Sequence, residues 1–318
     1  GNTTDARWSV SSGSTLAIGN TRNLGADPGG YYSDKVTLNG GTLLATNSFS
    51  LNANVGIQLG ASFTSTISVG SGLVMTNPAV MGGSGNLTKS GSGTLVLSGN
   101  NTYTGSTTVS QGELRMMGVL SSSSLLNVNA GATLSGTGTN GAATISGIHS
   151  PGTSPGIQTF SSGLTYNAGS TNIWELTSNT SDLAQRGTNY DGVNLGSGAN
   201  LTFAGTTKMS LVFNSAGSSV NWTSAFWNTN NSWLVYDLSG AGAITGATNF
   251  SVDSINWVDS QGNQFTQSRP DASFSISVSG QDLNLIYTIP EPSTYALLAL
   301  SGIALCFYAY RRRRRPML

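Results

Sequence analysis

Short glycine-led strands that recur about every twenty residues constrain this chain more than any other feature. Gly41-Thr42-Leu43-Leu44-Ala45, Gly93-Thr94-Leu95-Val96-Leu97, Gly112-Glu113-Leu114-Arg115-Met116 and Gly131-Ala132-Thr133-Leu134 each join a turn glycine to a β-prone run. None is long enough for a helix. Leu95, Leu114 and Leu134 stand nineteen and then twenty residues apart, and Ile145, Thr159 and Leu164 continue the alternation less regularly. A unit of this size cannot bury its own apolar face, so copies must stack on one another as a solenoid. The predicted fold class is all-β, a parallel β-helix (β-solenoid) with alternate Leu, Val and Met inward and Thr and Ser outside. Glycine or asparagine takes the corners that need positive φ. Stacked amides such as Asn100 or Asn101 are expected to form ladders. At ~4.8 Å per coil, the first two hundred residues would make a rod on the order of 50 Å long.

Charge and thiol content narrow the function classes. Only 8% of residues are charged, against about 25% in an ordinary soluble domain. All thirteen acids precede position 311, whereas five of the thirteen basic residues lie at 311–315, so the body carries 13 − 5 = 8 positives against 13 negatives, or −5. The zero net charge of the whole chain hides this. A mildly acidic body offers no basic stripe for phosphates, which argues against nucleic acid as a partner. The sole cysteine, Cys306, excludes a disulfide framework or a cysteine-held zinc before it. No cofactor is expected.

The C-terminal thirty residues read as an address label. Thr288-Ile289-Pro290-Glu291-Pro292-Ser293-Thr294 leads into an uninterrupted apolar run over 295–310, followed by Arg311, Arg312, Arg313, Arg314 and Arg315. As a helix, uncharged residues 293–310 would reach roughly 27 Å, about a bilayer's hydrocarbon thickness. Five arginines resist translocation, so the C-terminus is expected in the cytoplasm and the body on the far side. A translocated body needs a signal stretch, and none is present after Gly1, so removal of a leader or a fragment is expected.

Two stretches resemble known families. Pro290 to Arg315, with its Pro-Glu-Pro tripeptide, its Ser-Thr-Tyr-Ala-Leu-Leu-Ala-Leu entry and its arginine cluster, resembles the PEP-CTERM sorting signal of Gram-negative bacteria. That resemblance implies recognition of Pro290, Glu291 and Pro292 by an exosortase, a membrane-embedded thiol protease. It also implies release of the body to the cell surface or extracellular matrix. The segment from Gly85-Asn86-Leu87-Thr88-Lys89 through Gly99-Asn100-Asn101-Thr102-Tyr103-Thr104-Gly105 and on to Leu114 resembles the autotransporter-associated β-strand repeat. The implied fold is a right-handed parallel β-helix. Autotransporters end in a membrane β-barrel whose strand pattern is not visible here, which leaves the sorting tail as the surface route.

Composition shifts near Ala216, where Trp222, Phe226, Trp227, Trp233, Tyr236, Phe250 and Trp257 gather. The chain is therefore divided into a β-solenoid at 1–215, clearest at 85–116, an aromatic-rich β region at 216–288, and the sorting segment at 289–318. Two readings of the aromatic residues stand side by side. They close the solenoid's apolar end, or Trp222, Trp227, Trp233 and Trp257 stack on sugar rings of an extracellular polysaccharide. Strands at 273–278 and 283–287 are predicted to finish this region.

Apparent catalytic motifs fail on context. Gly152-Thr153-Ser154-Pro155-Gly156 spells G-x-S-x-G beside His149, yet Pro155 has no N–H for an oxyanion hole and no helix follows. His149, the only histidine, is read as a polar turn residue. Gly136-Thr137-Gly138-Thr139-Asn140-Gly141 spells G-x-G-x-x-G without the helix a dinucleotide needs. Asp182 with Asp191, and Asp253 with Asp259, lack the oxygen spacing of a calcium loop and read as turn caps. The expected function is an exported, non-enzymatic surface or matrix protein, structural or adhesive. The alternative is a polysaccharide lyase or glycoside hydrolase on a β-helix, for which Lys89, Glu113 and Arg115 are the available charges.

Overall fold

Each glycine-led segment is a strand hydrogen-bonded in parallel to the strands one coil before and one coil after it. The computed structural model describes residues 6–121, 123–240, 242–253 and 257–290. Their strands fall into a four-stranded, a sixteen-stranded and a nine-stranded sheet, each running through successive coils in chain order except at the C-terminal edge of the longest. This is the path of a β-solenoid. Among the described residues the only α-helix is the single turn Phe265–Ser268, and no helix is long and apolar enough to cross a membrane. The expected span at 293–310 lies outside the described residues.

Register follows from the alternation of side chains. Leu95 sits between Met75 and Leu114, and Leu114 pairs onward with Leu134. All four are fully buried, so the nineteen- and twenty-residue spacing marks one inward column. Corners are set by glycine where nothing larger fits. Gly136 has φ +102, and a Cβ there would lie 2.0 Å from the Met116 carbonyl oxygen of the previous coil.

One outward column of the long sheet carries a single residue type with one interruption. Reading coil by coil, one column runs Thr15, Thr42, Thr66, Thr88, Thr108, Asn127, Thr144, Thr165, Thr202 and Thr245. β-Branched threonine suits a pleated, half-exposed surface.

The asparagine ladders take a different form from the one expected. Asn100 faces outward, while Asn101 is buried and lies opposite Leu120 of the next coil, not opposite another amide. Its Oδ1 accepts from the Met81 N–H at 3.1 Å, and its Nδ2 donates to the carbonyls of Gly99 at 3.0 Å and Val119 at 3.2 Å. The side chain therefore ties three backbones together, which satisfies a buried amide without any stacked partner.

At the far end the chain changes direction. Asn231–Leu238 pairs in parallel with Gly192–Leu195 on one side and antiparallel with Asp282–Thr288 on the other, which pairs in turn with Ser273–Ser279. The predicted strands at 273–278 and 283–287 fall within this hairpin. Beneath it lies a dense cluster of rings, in which Trp222 and Trp227 are 4.7 Å apart between centroids and Trp227 and Tyr287 are 5.0 Å apart. The cluster reaches across position 216, because Trp174 packs on Trp233 at 5.8 Å and Phe213 on Trp222 at 4.8 Å.

Candidate functional site

On strand Glu113–Met116, burial of Leu114 and Met116 turns Glu113 and Arg115 out onto the face of the nine-stranded sheet. The Arg115 guanidinium meets Glu113 at 2.9 Å. Thr94 of the coil below donates to the same carboxylate at 2.9 Å, and Ser135 of the coil above donates as well. Burial raises the Glu113 pKa, but the Ser135 and Thr94 hydrogen bonds and the Arg115 charge outweigh it and hold the carboxyl below its ordinary value.

This pair borders a groove of about 250 Å³, whose wall also includes Ser154, Glu175 and Asp191. The turn between Gly152 and Gly156 shapes one rim, with Gly152 at φ +85 and Ser154 at φ +102. Ser154 Oγ donates to Glu175 at 3.0 Å. Asp191 is buried and accepts the Gly156 N–H at 2.8 Å and the Glu175 N–H at 3.0 Å, so both of its oxygens are engaged by backbone. Burial pushes the Asp191 carboxyl well above its usual range, against those two donors.

Glu113 stands apart from Glu175 along the solenoid axis. The strand bearing Glu113 is followed in the sheet by Thr133–Gly136, Ile148–Pro151 and Thr171–Glu175. Three coil steps separate the backbones of the two glutamates by ~14 Å along the axis, while Glu175 adjoins Asp191, whose pKa its charge helps to raise. The G-x-S-x-G turn does not build the oxyanion hole of a nucleophile elbow, since the Gly156 N–H is spent on Asp191 and Pro155 has none.

Lys89 does not reach the groove. It occupies an inward column between Ile67 and Val109. There its Nζ donates to the carbonyls of Ser90, Gly91 and Gln111 at 2.9, 2.7 and 3.0 Å. Burial lowers its pKa to about 8, with Glu113 pulling the other way.

His149 departs from the turn position read from sequence. It lies within Ile148–Pro151, fully buried, opposite Leu134 in the inward column. The Tyr236 hydroxyl donates to the Tyr166 hydroxyl at 2.9 Å, which bonds in turn to His149 Nδ1, while His149 Nε2 faces Gln158 Oε1 at 2.7 Å. Gln158 closes the relay on the Ser135 carbonyl at 3.1 Å. The consistent assignment is a neutral imidazole protonated on Nε2. Burial lowers the His149 pKa to about 4, with the Gln158 contact opposing.

Three of the paired aspartates, Asp182, Asp191 and Asp259, accept from backbone N–H groups, whereas Asp253, expected as a turn cap, meets a lysine instead. Asp182 accepts the Ala184 N–H at 2.9 Å at the start of a 3-10 turn, and Asp259 accepts the N–H groups of Trp222, Gln261 and Asn263. Asp253 faces Lys208 at 3.9 Å. Among the described residues no three His, Cys, Asp or Glu side chains are grouped to hold a metal.

Of the tryptophans, Trp222, Trp227 and Trp233 are fully buried, and Trp257 is half-buried against the same cluster. Trp227 Nε1 donates to Asn179 at 2.9 Å and Trp233 Nε1 to the Thr180 carbonyl at 2.6 Å. In this conformation the first three present no ring face to a sugar. Tail residues Glu291, Pro292, Cys306 and Arg311 through Arg315 lie outside the described residues. Pro290 directly follows Ile289, whose N–H is held by Asn230 Oδ1 at 2.9 Å just past the end of strand Asp282–Thr288.

Sequence reasoning did not bring Glu175 to the groove, and it paired Asp191 with the wrong partner. Both reach it from coils far along the chain, so no local spacing marks them.

Comparison with known families identifies two segments. Residues 87–116 match the passenger-associated-transport-repeat, and residues 288–315 match the PEP-CTERM protein-sorting motif. No curated protein and no solved structure matches the chain. The sorting motif marks the chain for export to the cell envelope and for processing by an exosortase, and the repeat is that of a passenger-like surface protein.

Proposed function

We propose that this chain, bearing a sorting motif behind a passenger-type repeat, is a non-enzymatic structural or adhesive protein of the cell surface or extracellular matrix of a Gram-negative bacterium. Its solenoid, right-handed as the repeat implies, is the functional object, a stiff rod closed at its C-terminal end by the aromatic residues and the antiparallel hairpin. A helix over 293–310 holds it in the inner membrane until an exosortase cuts near Pro290, Glu291 and Pro292. The observation that carries this reading is the junction: the sorting motif begins at residue 288, where the last strand ends. A folded rod thus passes directly into its address label.

Replacing Glu291 with Ala tests the route. Intact mass should show a shortened surface product from the wild type and a full-length, inner-membrane form from the variant. Equal surface release from both would refute it. The enzymatic alternative is tested separately by following reducing ends and unsaturated products from plant and bacterial polysaccharides. Turnover abolished by Glu113→Gln would overturn the non-enzymatic assignment.

A further inference from the structure

The outward face of the long sheet has a ligand chemistry that the sorting tail does not account for. Its central column is threonine at nine of ten positions, with Asn127 as the exception. The hydroxyls of Thr42, Thr66, Thr88, Thr108, Thr144 and Thr165 have no hydrogen-bond partner among the described residues. Two residues along the strands a second column runs Ala17, Leu44, Ser68 and Ser90, so hydroxyls flank the threonines at the coils of Thr66 and Thr88. Rows therefore repeat every ~4.8 Å along the axis and lie ~6.6 Å apart across it.

Charge distribution selects the partner. Neither column contains an acid, a base or an aromatic ring, whereas the nine-stranded sheet turns out Glu113, Arg115 and Lys208. An anionic polymer finds no cation on the hydroxyl face, and a nucleic acid finds no phosphate contact. The large apolar side chains flanking the threonine column, Leu44 and Leu125, stand four coils apart and in different columns, so a protein partner finds no contiguous apolar centre. Each hydroxyl offers one donor and two acceptor positions, which complements a partner carrying its own hydroxyls at regular intervals and no net charge.

We propose that this threonine face binds an extended, uncharged polysaccharide laid along the solenoid axis. The assignment rests on the surface-adhesive reading and moves adhesion from the tryptophans to the hydroxyl columns. Single contacts are weak, but they act together along one chain, so avidity grows with the number of coils engaged.

The test uses the full-length chain in mild detergent, sedimented with swollen cellulose, β-1,3-glucan particles or starch granules, and with polygalacturonate gel as the anionic comparison. Binding is expected to at least one of the neutral polymers and not to polygalacturonate. A triple variant, Thr66→Val, Thr88→Val and Thr108→Val, keeps β-branched shape and should raise the half-saturating concentration at least tenfold. The corresponding serine triple variant keeps the hydroxyls and should bind within threefold of wild type. Unchanged binding by the valine variant overturns the proposal, as does a preference for polygalacturonate or absence of binding to every neutral polymer. Ice-growth inhibition without sugar binding also overturns it, since an ordered water layer is then the ligand. The adhesive reading fails on a different result: cells lacking the chain attach and hold their matrix as well as wild type.

Discussion

Acidification should expose the buried His149 relay. In the folded chain the imidazole is held at a pKa of about 4 by burial, against about 6.5 for an unfolded histidine. The folded value is the lower one, so the unfolded state binds the proton first. Stability is therefore intact above about pH 6.5 and is lost progressively as pH falls towards 4. Linkage gives a loss of about 1 kcal/mol at pH 6, about 2 kcal/mol at pH 5 and about 3 kcal/mol at pH 4. At roughly 2–4 °C per kcal/mol, the pH 5 term lowers Tm by about 4–8 °C.

Surface carboxylates also titrate in this range, so the informative quantity is a difference. His149→Gln keeps an amide that can accept from Tyr166 and donate to Gln158 but cannot take up a proton. The variant should be less stable at pH 7.5, through poorer packing, and should lose less on acidification. The gap between wild type and variant should close by about 2 kcal/mol between pH 7.5 and pH 5. Melts followed by circular dichroism measure it. Because coils open as near-independent units, amide exchange within Ile148–Pro151 gives a local measure. Parallel pH profiles for the two proteins would refute the assignment of a neutral, desolvated imidazole.

Trp233→Ala should destabilise the C-terminal end by about 3–5 kcal/mol, the usual range for a buried ring. A melt within 1 °C of wild type would show that the ring cluster is not closed as described. Gly131 and Gly136 both have positive φ, but nothing lies within 4 Å of a Cβ at Gly131. Gly131→Ala should therefore cost only about 1–2 kcal/mol for the backbone conformation, while Gly136→Ala adds a collision with the Met116 carbonyl and should cost more by urea titration. Equal losses would mean that the coils do not approach as closely as they do here.

Strand-and-turn alternation determined the stacked, all-β architecture, because an inward leucine that recurs at a near-constant interval has no other way to leave water. Thr288 to Arg315 likewise declared their role locally, since export signals are read as linear sequence. Tertiary structure decided what depends on neighbouring coils. Lys89 and His149 look like surface residues in a polar sequence, yet each occupies an inward column where Ile67 or Leu134 is its neighbour. Their polar atoms are satisfied by carbonyls and side chains up to twenty-two residues away. The groove is formed from Glu113, Glu175 and Asp191 only after four coils are laid in register. The threonine column was present in the sequence throughout, but its members stand at irregular intervals. Only the hydrogen-bonded register, which absorbs loops of unequal length at the corners, aligns them on one face.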